Sequence, residues 1–240
     1  MMKLFERLES VLFPERCPCC GEVLNAKGPC EDCENGLKEQ LITGKVCRYC
    51  GHEKQYCECK KYHYLFEGVA APFYNRDTAQ NGVYRFKLSY APYCAKYFGK
   101  MMADVFSQRF KNVSIDVVCI VPTHTADARK RDYDYVALLA KRCAKELGLK
   151  FDPKLLKKVR KTDRQHELTA DKRQANVKGA YKAMRRLDGK TVLLIDDIKT
   201  TGYTLNECSK QLRMAGAEKV YCLTALMSAN NTCKTDKTEI

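Results

Sequence analysis

Two groups of residues carry chemistry by type and spacing. The first is Asp196-Asp197-Ile198-Lys199-Thr200-Thr201-Gly202-Tyr203-Thr204, which follows the apolar run Thr191–Ile195. Backbone N–H groups from Thr200 to Thr204, at the start of a helix, form a cradle for an anion. The threonine hydroxyls add donors. The two carboxylates lie just upstream, where they can accept hydrogen bonds from vicinal sugar hydroxyls. The second group is cysteine. Of 15 cysteines, nine fall between Cys17 and Cys59. Cys-x-x-Cys turns aim two thiolates at one point, and two such turns complete a tetrahedral zinc site. Cys17, Cys20, Cys30 and Cys33 form one expected site, and Cys47, Cys50, Cys57 and Cys59 a second. An interleaved pairing satisfies the same spacing. Cys19 is left as an extra thiol. Four thiolates leave no open position for water, so the zinc is expected to be structural.

These residues need elements to position them. Val69–Tyr74, Val117–Val121, Thr191–Ile195 and Val220–Leu226 are short apolar runs of the kind buried in parallel sheets. Helical spacing covers Ala91–Phe110 and Tyr135–Leu147, the latter stopped by Gly148. A third helix is expected over Thr204–Ala215, with Thr204 as N-cap and Gly216 as the stop. Leu4, Leu8 and Leu12 suggest a short amphipathic helix before the cysteines. Strand–helix–strand alternation predicts an α/β fold with a parallel sheet and flanking helices. The expected organisation is a zinc-ribbon module over 1–65, an α/β domain over 66–229 and a loose tail over 230–240.

The net charge is +14, with 43 Lys+Arg against 29 Asp+Glu. That excess favours polyanionic partners, such as nucleotides, diphosphates or single-stranded DNA, or serves as a basic soluble surface. Lysines and tyrosines of the cysteine-rich segment, among them Lys45, Arg48, Tyr49 and Lys54, suit a nucleic-acid contact or a solvated face equally. No apolar run is long enough to span a membrane. The N-terminus carries no leader-like pattern, so a cytoplasmic location is expected.

The Asp196–Thr204 segment resembles the 5-phosphoribosyl 1-pyrophosphate (PRPP) motif of type I phosphoribosyltransferases. The whole chain is similar to the ComF family of competence-associated proteins, which pairs a cysteine ribbon with such a domain. Arg85-Phe86-Lys87, Val121–His124, Thr162–Leu168 and Arg173–Tyr181 resemble further family segments. The resemblance implies a type I phosphoribosyltransferase fold, Mg²⁺ used with PRPP, and competence-machinery partners. It implies that Asp196 and Asp197 hold the ribose hydroxyls, with Asp197 the catalytic candidate. Lys199, Thr200, Thr201, Gly202 and Thr204 would take the phosphate side. Arg129, Lys130 and Arg131 would meet pyrophosphate. The basic stretch Lys157–Lys182 would supply a flexible loop carrying Arg164, Gln165, Arg173 and Asn176. A mobile cationic loop of this kind suits PRPP closure, a DNA contact or plain solvation. Tyr203 stands where the family has a small residue. Asp132, Asp134 and Tyr135 replace its Gly, Asn and Gln.

Overall fold

The computed structural model describes residues 14–57, 59, 63–89, 91–123, 133–162 and 175–228. The main sheet is entirely parallel. Its strands are β3 (Gly68–Ala70), β4 (Phe73–Tyr74), β5 (Val117–Ile120), β8 (Thr191–Lys199) and β9 (Lys219–Met227). Across the sheet the order is β5, β8, β9, β3, and β4 continues the line of β3 along β9. The expected strand Val69–Tyr74 is thus two pieces, broken at Ala71-Pro72, where proline has no N–H to give the ladder.

β8 and β9 are central, and their middle residues, Val192–Ile195 and Val220–Leu223, are apolar because both faces are covered. Side chains alternate between the faces. Leu193 and Ile195 face a core built by α2 (Asp77–Leu88), α3 (Cys94–Arg109) and α4 (Tyr135–Glu146), with Phe86, Phe98 and Leu139 at its centre. Val192 and Leu194 face a second core under α5 (Tyr203–Met214), with Leu205, Cys208 and Leu212. This arrangement is the type I phosphoribosyltransferase fold.

β6 (Leu156–Lys158) and β7 (Tyr181–Ala183) form an antiparallel pair beside the sheet. The basic stretch expected as a loop therefore begins and ends in a paired stem. α2 was not anticipated from the sequence. Its run Asp77-Thr-Ala-Gln-Asn-Gly82 opens with polar residues and a glycine, which mask the buried face of Ala79, Val83 and Phe86. Thr204 does not cap α5. The helix starts one residue earlier, Gly202 is the N-cap residue, and no side chain caps it.

The cysteine-rich segment holds β1 (Glu15–Arg16), β2 (Val23–Leu24) and α1 (Glu31–Lys38). It packs on the α/β layers directly. Cys17, Cys19 and Leu37 belong to the core of Phe98 and Phe73. The Ala79 amide donates to Gln40 Oε1 at 2.7 Å, and Arg109 reaches the carbonyls of Ile42 and Gly44.

Candidate functional site

Asp196 and Asp197 end the buried part of β8, and strand alternation sends them to opposite faces. Asp197 continues the face of Ile195 and meets α2 and α4. Lys87 Nζ lies 3.0 Å from its Oδ2, and the Tyr135 hydroxyl donates to the same oxygen at 2.7 Å. Its Oδ1 accepts the Ile198 amide at 2.8 Å. Burial alone would raise this carboxyl, but Lys87 and Tyr135 outweigh it and hold it below the usual carboxylate range. Asp196 faces α5, and among the described residues no cation forms an ion pair with it. Its Oδ1 accepts the Asp197 amide at 2.9 Å. Burial, reinforced by the charge of Asp197, pushes its carboxyl well above the usual range. One strand end therefore carries two adjacent carboxyls shifted in opposite directions.

Beyond Lys199 the chain turns through Thr200, Thr201 and Gly202 into α5. Gly202 has φ +83°, the left-handed conformation open to glycine. The first helical bond runs from the Asn206 amide to the Gly202 carbonyl at 2.9 Å. The helix dipole adds partial positive charge at that turn. Tyr203, the bulky departure from the motif, packs toward the core under α5 instead of filling the cradle. Thr200, Thr201 and Thr204 are half-buried around the turn. Lys199 is almost fully buried, with its ammonium 6.0 Å from the Tyr64 ring centre. Burial pushes His52 down to about 4, and the charge of Lys199 adds to the effect, so His52 is neutral at pH 7.

The other expected ligands divide. Arg129, Lys130, Arg131, Arg164, Gln165 and Arg173, with His124 and His166, lie outside the described residues. Asn176 is half-buried at the end of the basic stretch, where its carbonyl accepts Arg160 Nη2 at 2.8 Å. Asp134 turns away from the site and caps α4, accepting the Ala137 amide at 2.9 Å. Lys87 and Tyr135 were missed as site residues. Their signal was present: Lys87 closes the Arg85–Lys87 segment, and Tyr135 is a departure from the motif. Neither position shows in the sequence which strand end it reaches.

The cysteines gather as expected. Cys17, Cys20, Cys30 and Cys33 form one cluster and Cys47, Cys50, Cys57 and Cys59 the other, with all ligand atoms of each within 4.8 Å of one another. The interleaved pairing is excluded. Sulfur separations of 3.6 Å (Cys20–Cys30), 3.4 Å (Cys47–Cys59) and 3.7 Å (Cys50–Cys57) approach the roughly 3.8 Å edge of a tetrahedron with Zn–S bonds of about 2.3 Å. The donor set therefore fits structural zinc. Both knuckles share one backbone pattern. Gly21 and Gly51, each at positive φ, donate to the carbonyls of Cys17 and Cys47 at 2.9 Å. Burial opposes ionisation of Cys17 and Cys47, but backbone N–H donors outweigh it and bring them down to about 6 and 7. Cys19, the extra thiol, is buried and held neutral by burial.

Residues 137–239, from α4 through β9, match the phosphoribosyl transferase domain family. Competence protein F of Haemophilus influenzae is 27% identical over 221 residues, spanning 87% of this chain and 95% of that protein. DNA utilization protein YhgH of Salmonella typhi is 32% identical over 110 residues, spanning 45% of this chain and 48% of that protein. A solved glutamine phosphoribosylpyrophosphate amidotransferase from B. subtilis, complexed with ADP and GMP, is 28% identical at a TM-score of 0.36, over 53% of this chain and 25% of that one. Among the described residues no helix is long and apolar enough to cross a membrane. The chain is a homologue of Competence protein F and of the YhgH proteins, with a type I phosphoribosyltransferase domain joined to cysteine clusters that fit a zinc ribbon.

Proposed function

We propose that this protein binds PRPP, or a nucleotide bearing ribose 5-phosphate, at the carboxyl end of β8. The observation that carries this is the paired Asp196 and Asp197 opening onto the glycine-turned N-terminus of α5. The carboxyls take the two ribose hydroxyls. The amides and hydroxyls of Thr200, Thr201, Gly202 and Thr204 take the 5-phosphate, with the buried charge of Lys199 behind them. Arg129, Lys130 and Arg131 neutralise pyrophosphate, and Arg164, Gln165, Arg173 and Asn176 belong to the loop over it. Mg²⁺, when bound with pyrophosphate, supplies charge neutralisation of the leaving group.

The chemistry that suits such a site is phosphoribosyl transfer to an acceptor nitrogen. The bond from C1 to pyrophosphate breaks with oxocarbenium character, so the protein must position and stabilise charge. Asp197, ionised and fixed by three hydrogen bonds, is the catalytic candidate for stabilising positive charge at the ribose. The names of Competence protein F and the YhgH proteins support a role in DNA uptake. The density of unpaired thiols supports a reducing, cytoplasmic location.

Calorimetry on the zinc-loaded protein, with PRPP in the presence and absence of Mg²⁺, tests the binding. Wild type is expected to bind in an Mg²⁺-dependent manner. Asp197→Asn should weaken binding about 30-fold or more, the loss of a hydrogen bond to a charged acceptor, and Asp196→Asn about 5-fold, the loss of an ordinary one. No PRPP binding by wild type would overturn the proposal.

A second role is supported by the exposed Tyr49, which stands on the second knuckle with Lys45, Arg48 and Lys54 nearby in the chain. An exposed aromatic among cations is a stacking platform for single-stranded DNA. Salt-dependent DNA binding that falls with Tyr49→Ala supports this role, and unchanged binding removes it.

A further inference from the structure

The second cysteine cluster sits on the elements that end at the phosphate turn. Its Arg48 carbonyl accepts the Val69 amide at 3.0 Å, and the Arg48 guanidinium donates to the Tyr221 hydroxyl at 2.9 Å. The knuckle thereby adds to β3 and to β9. A Cβ at Gly51 would fall 2.3 Å from the Met227 methyl and 3.0 Å from the Val69 carbonyl, so the knuckle backbone is pressed against the end of β9. That end is tied to the turn, because the Ser228 amide donates to the Lys199 carbonyl at 2.8 Å. His52, next in the knuckle, is buried within reach of the charge of Lys199.

A separate set of contacts comes from the chain just after Cys59. The Tyr64 hydroxyl donates to the Thr201 carbonyl at 3.2 Å, and its ring stacks on Phe66 at 4.6 Å. The same ring lies 3.2 Å from where a Cβ of Gly202 would stand. Asn206, in the first turn of α5, accepts the Leu65 amide at 2.6 Å and donates to the His63 carbonyl at 3.5 Å. Both anchors of the turn therefore lead to one metal cluster: Lys199 through the knuckle, and Thr201 to Asn206 through the segment after Cys59.

We propose that metal in the Cys47, Cys50, Cys57 and Cys59 cluster sets the shape of the Lys199–Asn206 phosphate turn, with Tyr64 and Asn206 as the positioning residues that transmit it. The inference rests on the ligand-binding proposal only where a ligand is used as the probe. Binding energies at the two sites are then linked. A ligand that fits the ordered turn raises the metal affinity of the second cluster by the factor by which metal raises its own affinity, about 10-fold for a coupling of ordinary size.

The test uses the full zinc-loaded chain and two independent readouts. Amide hydrogen exchange over residues 199–206 reports the turn without any ligand. Ribose 5-phosphate reports binding, and chelator competition for zinc, with and without ribose 5-phosphate, reports the linkage. Cys57→Ser, which opens the second cluster alone, should speed exchange in 199–206 about 10-fold and weaken ribose 5-phosphate to a similar degree. Tyr64→Phe and Asn206→Ala retain all eight ligand thiols and should keep full zinc content. They should still speed exchange in the turn several-fold and reduce the effect of ribose 5-phosphate on zinc retention. Unchanged exchange over 199–206 in Tyr64→Phe and Asn206→Ala overturns the inference, including where Cys57→Ser fails to fold. If wild type takes up no ribose 5-phosphate, the binding proposal fails for this ligand, and exchange of the turn alone decides the coupling.

Discussion

Asp196 and Asp197 are the same residue type one position apart, and the sheet shifts their carboxyls in opposite directions. The difference comes from which helices cover each face: α2 and α4 bring Lys87 and Tyr135 to Asp197, whereas α5 brings Asp196 no cation. The folded pKa of Asp196 is raised above the unfolded one, so this carboxyl lowers the stability of the unliganded protein as pH rises from the unfolded value toward the folded one. Asp196→Asn keeps the shape and the acceptor without that penalty. It is expected to raise the midpoint of urea unfolding at pH 7 while impairing PRPP binding, a trade of stability against function. Asp197 behaves in the opposite sense. Its depressed pKa contributes stability above the unfolded carboxyl pKa, and this is lost as pH falls through the folded value. Tyr135→Phe should therefore cost about 1.5–3 kcal/mol at pH 7. In urea titrations the cost should shrink below about pH 4, where the carboxyl takes up a proton. A cost that stays constant with pH would show that the tyrosine matters through packing with Phe86 instead.

At the scale of elements, the turn between β8 and α5 depends on one backbone conformation. Gly202→Ala must adopt φ near +83° and place a methyl 3.2 Å from the Tyr64 ring and 3.3 Å from the Lys199 side chain. A cost of about 1–2 kcal/mol is expected in urea unfolding, with loss of ligand binding beyond that produced by destabilisation. The strands of the main sheet, the glycine of this turn and helices α3, α4 and α5 were legible in the sequence, because apolar runs and helical periodicity report burial locally. α2 was not, because its buried face is short and interrupted by Gly82, whose backbone is approached by the Phe98 ring. The pairing of β6 with β7 was hidden because both strands are only three residues long and lysines interrupt their apolar pattern. The aspartate pair was legible at the end of its strand, but the approach of Lys87 and Tyr135 was not, since they converge on Asp197 only after two helices pack on one face of the sheet.

At the scale of the molecule, the cysteine-rich segment packs against the helices of the sheet. Leu37, Cys17 and Cys19 share a core with Phe98, and Arg85 of α2 donates to the Cys19 carbonyl at 3.2 Å. The first cluster thus braces the helix that delivers Lys87, and the second sits against the phosphate turn. We expect calorimetric unfolding to show one transition whose midpoint falls when zinc is chelated. Two separated transitions, with the later one insensitive to chelator, would show that the halves fold independently. A chain starting at residue 66 should lose several kcal/mol, because Ala79, Phe98 and Cys94 are then stripped of buried neighbours.

The position of β9 between β3 and β8 also orders events in time. β3 pairs with β9 from Gly68 against Tyr221 onward, so the first strand of the sheet waits for the last. At synthesis rates of about 5–20 residues per second, that interval is roughly 8–30 s. Both cysteine clusters are complete before Gly68 is made. On the ribosome the ligands of both clusters are thus in place before the sheet can close, and the order of synthesis lets metal binding prepare the base on which the strands assemble.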